Sequence, residues 1–200
     1  MTSQDGRDLV KVFFSDLDER LYRQPLVADA IVVSDNDLDD PRNPRGDLNV
    51  WRMRGLIPQA YWHKNGRVTF NGRGVLFCAL LSELAWTLGP QRGAEAAEVL
   101  MSYVDRIAEM IAADDFSFAG DVLRFGRQIP AKGEWNNPRI FYRDTPRTLG
   151  DALGLPLHIY GDDQIAAEPG ILCARTSVVV PIGRILFNAA FRAEMALREA

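Results

Sequence analysis

Five cations, Arg52, Arg54, Lys64, Arg67 and Arg73, fall within the run WRMRGLIPQAYWHKNGRVTFNGRGVLF (residues 51–77), which holds no Asp or Glu. Cations without neighbouring acids repel one another, so such a set is suited to a surface that meets an anion, and closely spaced phosphates are the common match. Trp51, Tyr61, Trp62 and His63 are interleaved with them, and these side chains suit contacts to a sugar-phosphate backbone and to bases. The plain alternative is a solvated helix face and a hairpin turn, both of which routinely carry Lys and Arg.

The charge distribution sharpens the choice. The chain as a whole is acidic, with a net charge of −4. Residues 1–41 hold ten carboxylates against four bases, a balance of −6, whereas residues 42–73 hold seven bases against Asp47 alone, a balance of +6. Recognition happens on one face, so this asymmetry outweighs the total. The acidic N-terminal block could shield the basic face or bind a second protein.

Other chemistry is sparsely supplied. His63 and His158 are the two histidines, and Cys78 and Cys173 lie far apart in apolar contexts, so no metal-ligand spacing exists. The cysteines read as buried reduced thiols. The segment NGRG (71–74) lacks the Gly-Lys-Ser/Thr ending of a phosphate loop, and no Gly-x-Ser-x-Gly elbow occurs. The acidic pairs Asp39-Asp40, Asp114-Asp115 and Asp162-Asp163 border turns or helix ends, where Asp bonds nearby backbone amides. The loop KGEWNNPR (132–139) has a polar, aromatic texture that could line a pocket, but it reads first as an ordinary surface loop. No catalytic residue, metal ligand or cofactor is predicted.

These residues must be positioned by a chain of 200 residues, 47% hydrophobic and 25% charged, which is enough for one sizeable core or two small ones. Val10, Phe14, Leu17 and Leu21 predict an amphipathic helix over 8–22, and ADAIVVSD (28–35) predicts a short strand. Pro41 and Pro44 mark a turn-rich segment, after which a short helix over 47–54 stops at Gly55. Asn65-Gly66 between two aromatic and β-branched runs predicts a hairpin with a type I′ turn. Asn71 is placed to cap the next helix, which buries Val75, Leu76, Ala79, Leu80 and Leu84 and closes at Gly89-Pro90. A second helix, 92–113, carries Ala97, Leu100, Met101, Val104, Ile107, Ala108 and Ile111 on one side.

Beyond Asp115 the segments 139–144, 155–161 and 170–182 predict strands, and Ile185, Leu186, Ala189, Ala190, Ala193 and Leu197 predict a terminal helix. The expected organisation is therefore a mainly helical domain over 1–115 and an α+β module over 116–200 for dimerisation, partner binding or ligand sensing. No stretch approaches the ~20 apolar residues of a membrane span, and the N-terminus lacks the pattern of a secretion signal, which points to the cytoplasm.

The segment NVWRMRGLIPQAYWHKNGRVTFNGRGVLFCALLSEL (49–84) resembles the winged helix-turn-helix of MerR-type regulators. The match runs through Trp51-Arg52, the turn Gly55-Leu56-Ile57-Pro58, the hairpin tip Gly66-Arg67 and the start of a helix at Asn71, about 36 residues in all. That family pattern also has a helix directly before the recognition helix, and here Pro41 and Pro44 leave room only for a short or displaced one. The resemblance implies that Asn49 and Arg52 face the groove of double-stranded DNA. Arg45, Arg54, Lys64 and Arg67 would meet phosphates, with His63 nearby, while Trp51 and Leu56 anchor the helix in the core. It further implies a homodimeric transcription regulator, with the transcription machinery as a possible protein partner. An excisionase or architectural DNA-binding role would share the same stripe. The alternatives are an adaptor whose stripe pairs with an acidic protein, and a small enzyme with its site in residues 116–181.

Overall fold

A computed structural model describes residues 4–31, 44–120, 122–128, 140–141, 158–160, 174–180 and 182–199, with side chains over 4–31, 46–86, 88–119, 180 and 182–199. The described residues form a mostly helical α+β structure with a small three-stranded antiparallel sheet. The chain divides into two units, one made of Met1–Phe116 with Ile185–Ala200 and the other of Ser117–Arg184.

In the first unit, α1 (Gln4–Phe14) buries Leu9, Val10, Phe13 and Phe14. The expected continuation to residue 22 does not occur. Ser15, Asp16 and Asp18 favour turns over helix interiors, and Leu21–Arg23 forms strand β1, pairing with β3. Leu21, expected on the apolar stripe, is 46% exposed. Periodicity could not reveal this, because the partner strand lies some fifty residues away.

The expected strand from residue 28 is also corrected. Gln24–Ala30 is a helix, α2, with Pro25 in its first turn and Val27, Ala28 and Ala30 buried. Proline there fixes φ at a helical value and gives up an amide that has no intrahelical partner anyway. Helix α3 (Pro44–Met53) follows and packs against α2. The chain then makes a 3-10 turn over Gln59–Tyr61 and enters the hairpin β2 (Trp62–Asn65) and β3 (Arg67–Asn71). The sheet order is β1-β3-β2.

Helix α4 (Gly72–Leu88) is the central element. Beyond the predicted stripe it also buries Phe77, Cys78, Leu81 and Ser82, so it is enclosed on all sides over Gly74–Ser82, while Trp86 near its end is exposed. A helix that is apolar all round belongs in a core. Burial pushes the Cys78 thiol far above its ordinary pKa, as expected for an inert structural thiol. Asn71 caps α4 as predicted, accepting from Gly74 N at 2.8 Å. Gly89, at φ 82°, ends it, and α5 (Pro90–Ala112) folds back antiparallel with its predicted apolar side buried except at Ala108, which is half-buried. The two helices approach closely at Gly93, where a Cβ would sit 2.7 Å from the Ala85 nitrogen.

The terminal helix, α6 (Ile182–Arg198), was expected to belong to the C-terminal module, but residues 185–200 join the first unit. The join is chemical as well as apolar. Glu194, 2% exposed, accepts from Arg20 Nη1 at 2.8 Å through both oxygens and from the Tyr22 hydroxyl at 2.6 Å. Burial and the adjoining carboxylate hold the Tyr22 hydroxyl well above the usual phenol range.

The second unit is built on β4 (Val122–Gln128), to which β5 (Ile140–Phe141), β6 (His158–Tyr160) and β7 (Ala174–Val180) all pair antiparallel. Each of the three expected strands has strand residues among those described, at 140–141, 158–160 and 174–180, and the rest of each expected range lies outside them apart from Ile182, which opens a helix. Strand β4 was missed, although Leu123 and Phe125 alternating with Arg124 and Gly126 carried the signal. The loop 132–139, Cys173, Asp39-Asp40 and Asp162-Asp163 lie outside the described residues.

Candidate nucleic-acid interface

Helix α3 buries Leu48 and Trp51, and the chain beyond it buries Leu56 and Ile57. Its end is fixed by Gly55 at φ 69°, with Leu56 N bonding Trp51 O at 2.8 Å and Gly55 N bonding Arg52 O at 3.1 Å. This double closure is the Schellman arrangement, which favours glycine because its backbone is left-handed. Trp51 and Leu56 are thus core residues that hold the helix, as expected. The opposite side is left to solvent: Asn49 and Arg54 are exposed, Val50 is 43% exposed and Met53 80%.

Three contacts seat the turn that leads into the hairpin on the start of α4 and its capping residue. The Tyr61 and Phe77 rings lie 5.3 Å apart. Asn71 Nδ2 donates to Ala60 O at 3.2 Å, and Gly74 leaves no space for a Cβ against the Tyr61 carbonyl. Cross-strand pairs put Tyr22, Phe70, Trp62, Val68 and Lys64 on one face of the sheet, and Arg23, Thr69, His63, Arg67 and Asn65 on the other. The first face turns inward at Tyr22 and Phe70, both fully buried, and Lys64 emerges only because it lies at the tip. Asn65 pairs with Arg67 across Gly66 alone. Only Gly66, at φ 75°, takes positive φ there, so the turn is not the expected type I′, which needs two such residues.

The five cations of the stripe therefore separate. Arg73 is neutralised by Asp18 at 2.9 Å and Asp105 at 2.7 Å. Burial opposes its charge, yet these two carboxylates outweigh that effect and raise its pKa. Arg52, expected to face a groove, is half-buried with its guanidinium carbon 4.9 Å from the Trp62 ring centroid. Its Nε and the Trp62 Nε1 are buried without hydrogen-bond partners, so the ring face holds the stack. Arg54, Lys64 and Arg67 are exposed, and none of them makes an ion pair among the described residues. His63 is exposed beside Thr69. The side chain of Arg45 lies outside the described residues, although its backbone opens α3.

One cation escaped the sequence reasoning. Arg23, counted there with the acidic block, is exposed on β1 opposite Thr69, whose other neighbour is His63. Only the strand register reveals that it shares a face with Arg67. Elsewhere, the Asp114-Asp115 pair closes α5: Asp114 adopts φ 61° and holds Lys11 at 2.7 Å. Lys11 keeps its carboxyl below the usual carboxylate range. Among the described residues no group of three His, Cys, Asp or Glu could hold a metal ion, and no helix is long and apolar enough to cross a membrane. The side chains of nearly all the segment considered for an enzyme site, residues 120–179, lie outside those described. A scan of protein-family models, a search of curated proteins and a search of solved structures each found no match to this chain.

Proposed function

We propose that the chain is a DNA-binding transcriptional regulator that meets duplex DNA through a winged helix-turn-helix made of α2, α3 and the β2–β3 hairpin. The carrying observation is the contrast among cations. Lys11, Arg20 and Arg73 are each held by carboxylates, whereas Arg54, Lys64 and Arg67 stand exposed without one among the described residues. Three further features support the reading. A helix, α2, precedes α3 and packs against it, which is compatible with a displaced first helix of such a motif. The β1-β3-β2 order lets a first strand brace the hairpin. The exposed side of α3 carries Asn49 on a helix short enough to enter a major groove.

In this reading Asn49 meets base edges, and Arg45, Arg54, Lys64 and Arg67 meet phosphates, with His63 and Arg23 alongside on the outer sheet face. Arg52 would reach the duplex only by leaving Trp62. One short helix reads few base pairs, so selectivity calls for a homodimer on two half-sites, acting in the cytoplasm. The acidic-partner alternative uses the same tip but predicts no affinity for DNA.

The test is a fluorescence anisotropy titration of random-sequence duplex with the full chain. Four phosphate contacts per protomer predict a loss in affinity between about 50 and 200 mM salt of about a hundredfold for a single bound protomer and about ten-thousandfold for the homodimer. Absence of binding at the lower salt would overturn the proposal.

A further inference from the structure

We infer, resting on the duplex-binding reading above, that α3 reads the C5-methyl group of thymine beside adenine, so that the preferred sites are rich in A·T pairs. The observation is what the described part of the exposed side of α3, residues 46–53, lacks as much as what it holds; Arg45, whose side chain lies outside the described residues, is assigned to a phosphate above. Recognition of guanine in the major groove is usually made by Arg or Lys reaching O6 and N7 together. Arg52, the cation best placed in the sequence for that task, lies back on Trp62. Arg54 sits beyond the last residue of the helix, next to the Gly55 turn. The centre of the exposed side is left to Asn49, Val50 and Met53.

Those three lie at i, i+1 and i+4, so Asn49 and Met53 are stacked one turn apart and Val50 neighbours Met53 at i+3. A single exposed apolar residue is unremarkable on any protein. Here two occur on adjacent turns, beside an uncharged amide, with Lys64 and Arg67 on the neighbouring hairpin. An amide matches the N6 donor and N7 acceptor of adenine, and aliphatic or thioether chains match the thymine methyl. A G·C pair would instead press the cytosine amino group against Val50 or Met53 and leave it unpaired, which is costly. The cations that lack a carboxylate partner among the described residues select a polyanion as the occupant of this face by charge complementarity.

The C5-methyl group is shared with 5-methylcytosine, so the experiment separates the two. The full chain is titrated at constant low salt with duplexes of equal length: alternating dA-dT, dA-dU, dG-dC and dG-(5-methyl-dC). A methyl buried against apolar side chains is worth about fourfold in affinity. Two methyls per site therefore predict that dA-dT binds about fifteenfold tighter than dA-dU, with dG-dC weaker than both. In Val50→Ala/Met53→Ala, whose changes lie on the exposed side of α3, the dA-dT and dA-dU affinities should converge. Lys64→Ala should weaken all four duplexes alike. Equal binding of dA-dT and dA-dU by the unaltered chain would overturn the inference while leaving DNA binding intact. Binding of dG-(5-methyl-dC) as tight as dA-dT would also overturn it, by showing that the methyl is read without adenine. No binding to any duplex would overturn the proposed function itself.

Discussion

Removing the Glu194 carboxylate should cost far more than its single position on a terminal helix suggests. Its two oxygens accept from Arg20 at 2.8 Å and from Tyr22 at 2.6 Å, and the residue is 2% exposed. Breaking a buried ion pair typically costs about 3–5 kcal/mol. Arg20, however, keeps 29% of its side chain exposed and has Asp16 at 3.3 Å, so water and a second carboxylate recover part of its loss. Tyr22 is fully buried, and its hydroxyl would be left as an unmet donor, at about 1–3 kcal/mol. Glu194→Ala is therefore expected to destabilise the first unit by about 3 kcal/mol. Glu194→Gln keeps an acceptor for Tyr22 and should cost about half as much. In a double-mutant cycle, Tyr22→Phe combined with Glu194→Ala should fall short of additivity by about 1 kcal/mol or more, because Phe removes the stranded donor. Urea unfolding followed by tryptophan fluorescence measures all of these. A Glu194→Ala midpoint indistinguishable from the unaltered chain would refute the docking of α6 against β1.

Two further outcomes follow from packing and burial. Gly93→Ala would gain about 1 kcal/mol of helix propensity, but its Cβ would meet the Ala85 backbone at 2.7 Å. Overpacking of about 1–3 kcal/mol should win, so thermal unfolding should show a lower midpoint; a raised one would contradict the close approach of α4 and α5. Cys78 and Tyr22 both have pKa values raised by burial. Each is protonated in the folded chain where the unfolded chain would ionise, so stability is full below the ordinary values. It then falls by about 1.4 kcal/mol per pH unit per group, from about pH 9 for the thiol and about pH 10 for the phenol. Cys78→Ala should flatten the first part of that decline in urea titrations at stepped pH, and an unchanged slope would contradict it.

What could be read from the sequence was local. The Asn71 cap, the Gly55 and Gly89 stops and the burial of Trp51 depend on residues within a few positions of one another, and all are as expected. What escaped was set by distant partners. β1 exists because Leu21–Arg23 pairs with a strand some fifty residues on, and the same pairing moves Arg23 onto the basic face. Arg73 looked like part of an unopposed stripe, but Asp18 and Asp105 arrive from α1's following turn and from α5. Arg52 lies on Trp62 through a contact between helix and hairpin. The β-branched run after Ala30 suggested a strand, whereas the start signal at Pro25 belonged to a helix. The carboxylate partner of Arg20 is 174 positions away, which is why α6 could not be assigned to the first unit from spacing alone.

The central claim is that the exposed cations at the hairpin tip grip phosphates. It is tested most directly by the salt dependence of duplex binding with and without Lys64 and Arg67. Four phosphate contacts per protomer predict a slope of log affinity against log salt of about −3.6 for one bound protomer and about −7.2 for the homodimer, and the double variant Lys64→Ala/Arg67→Ala should show about half of either value. An unchanged slope in the double variant would contradict the account.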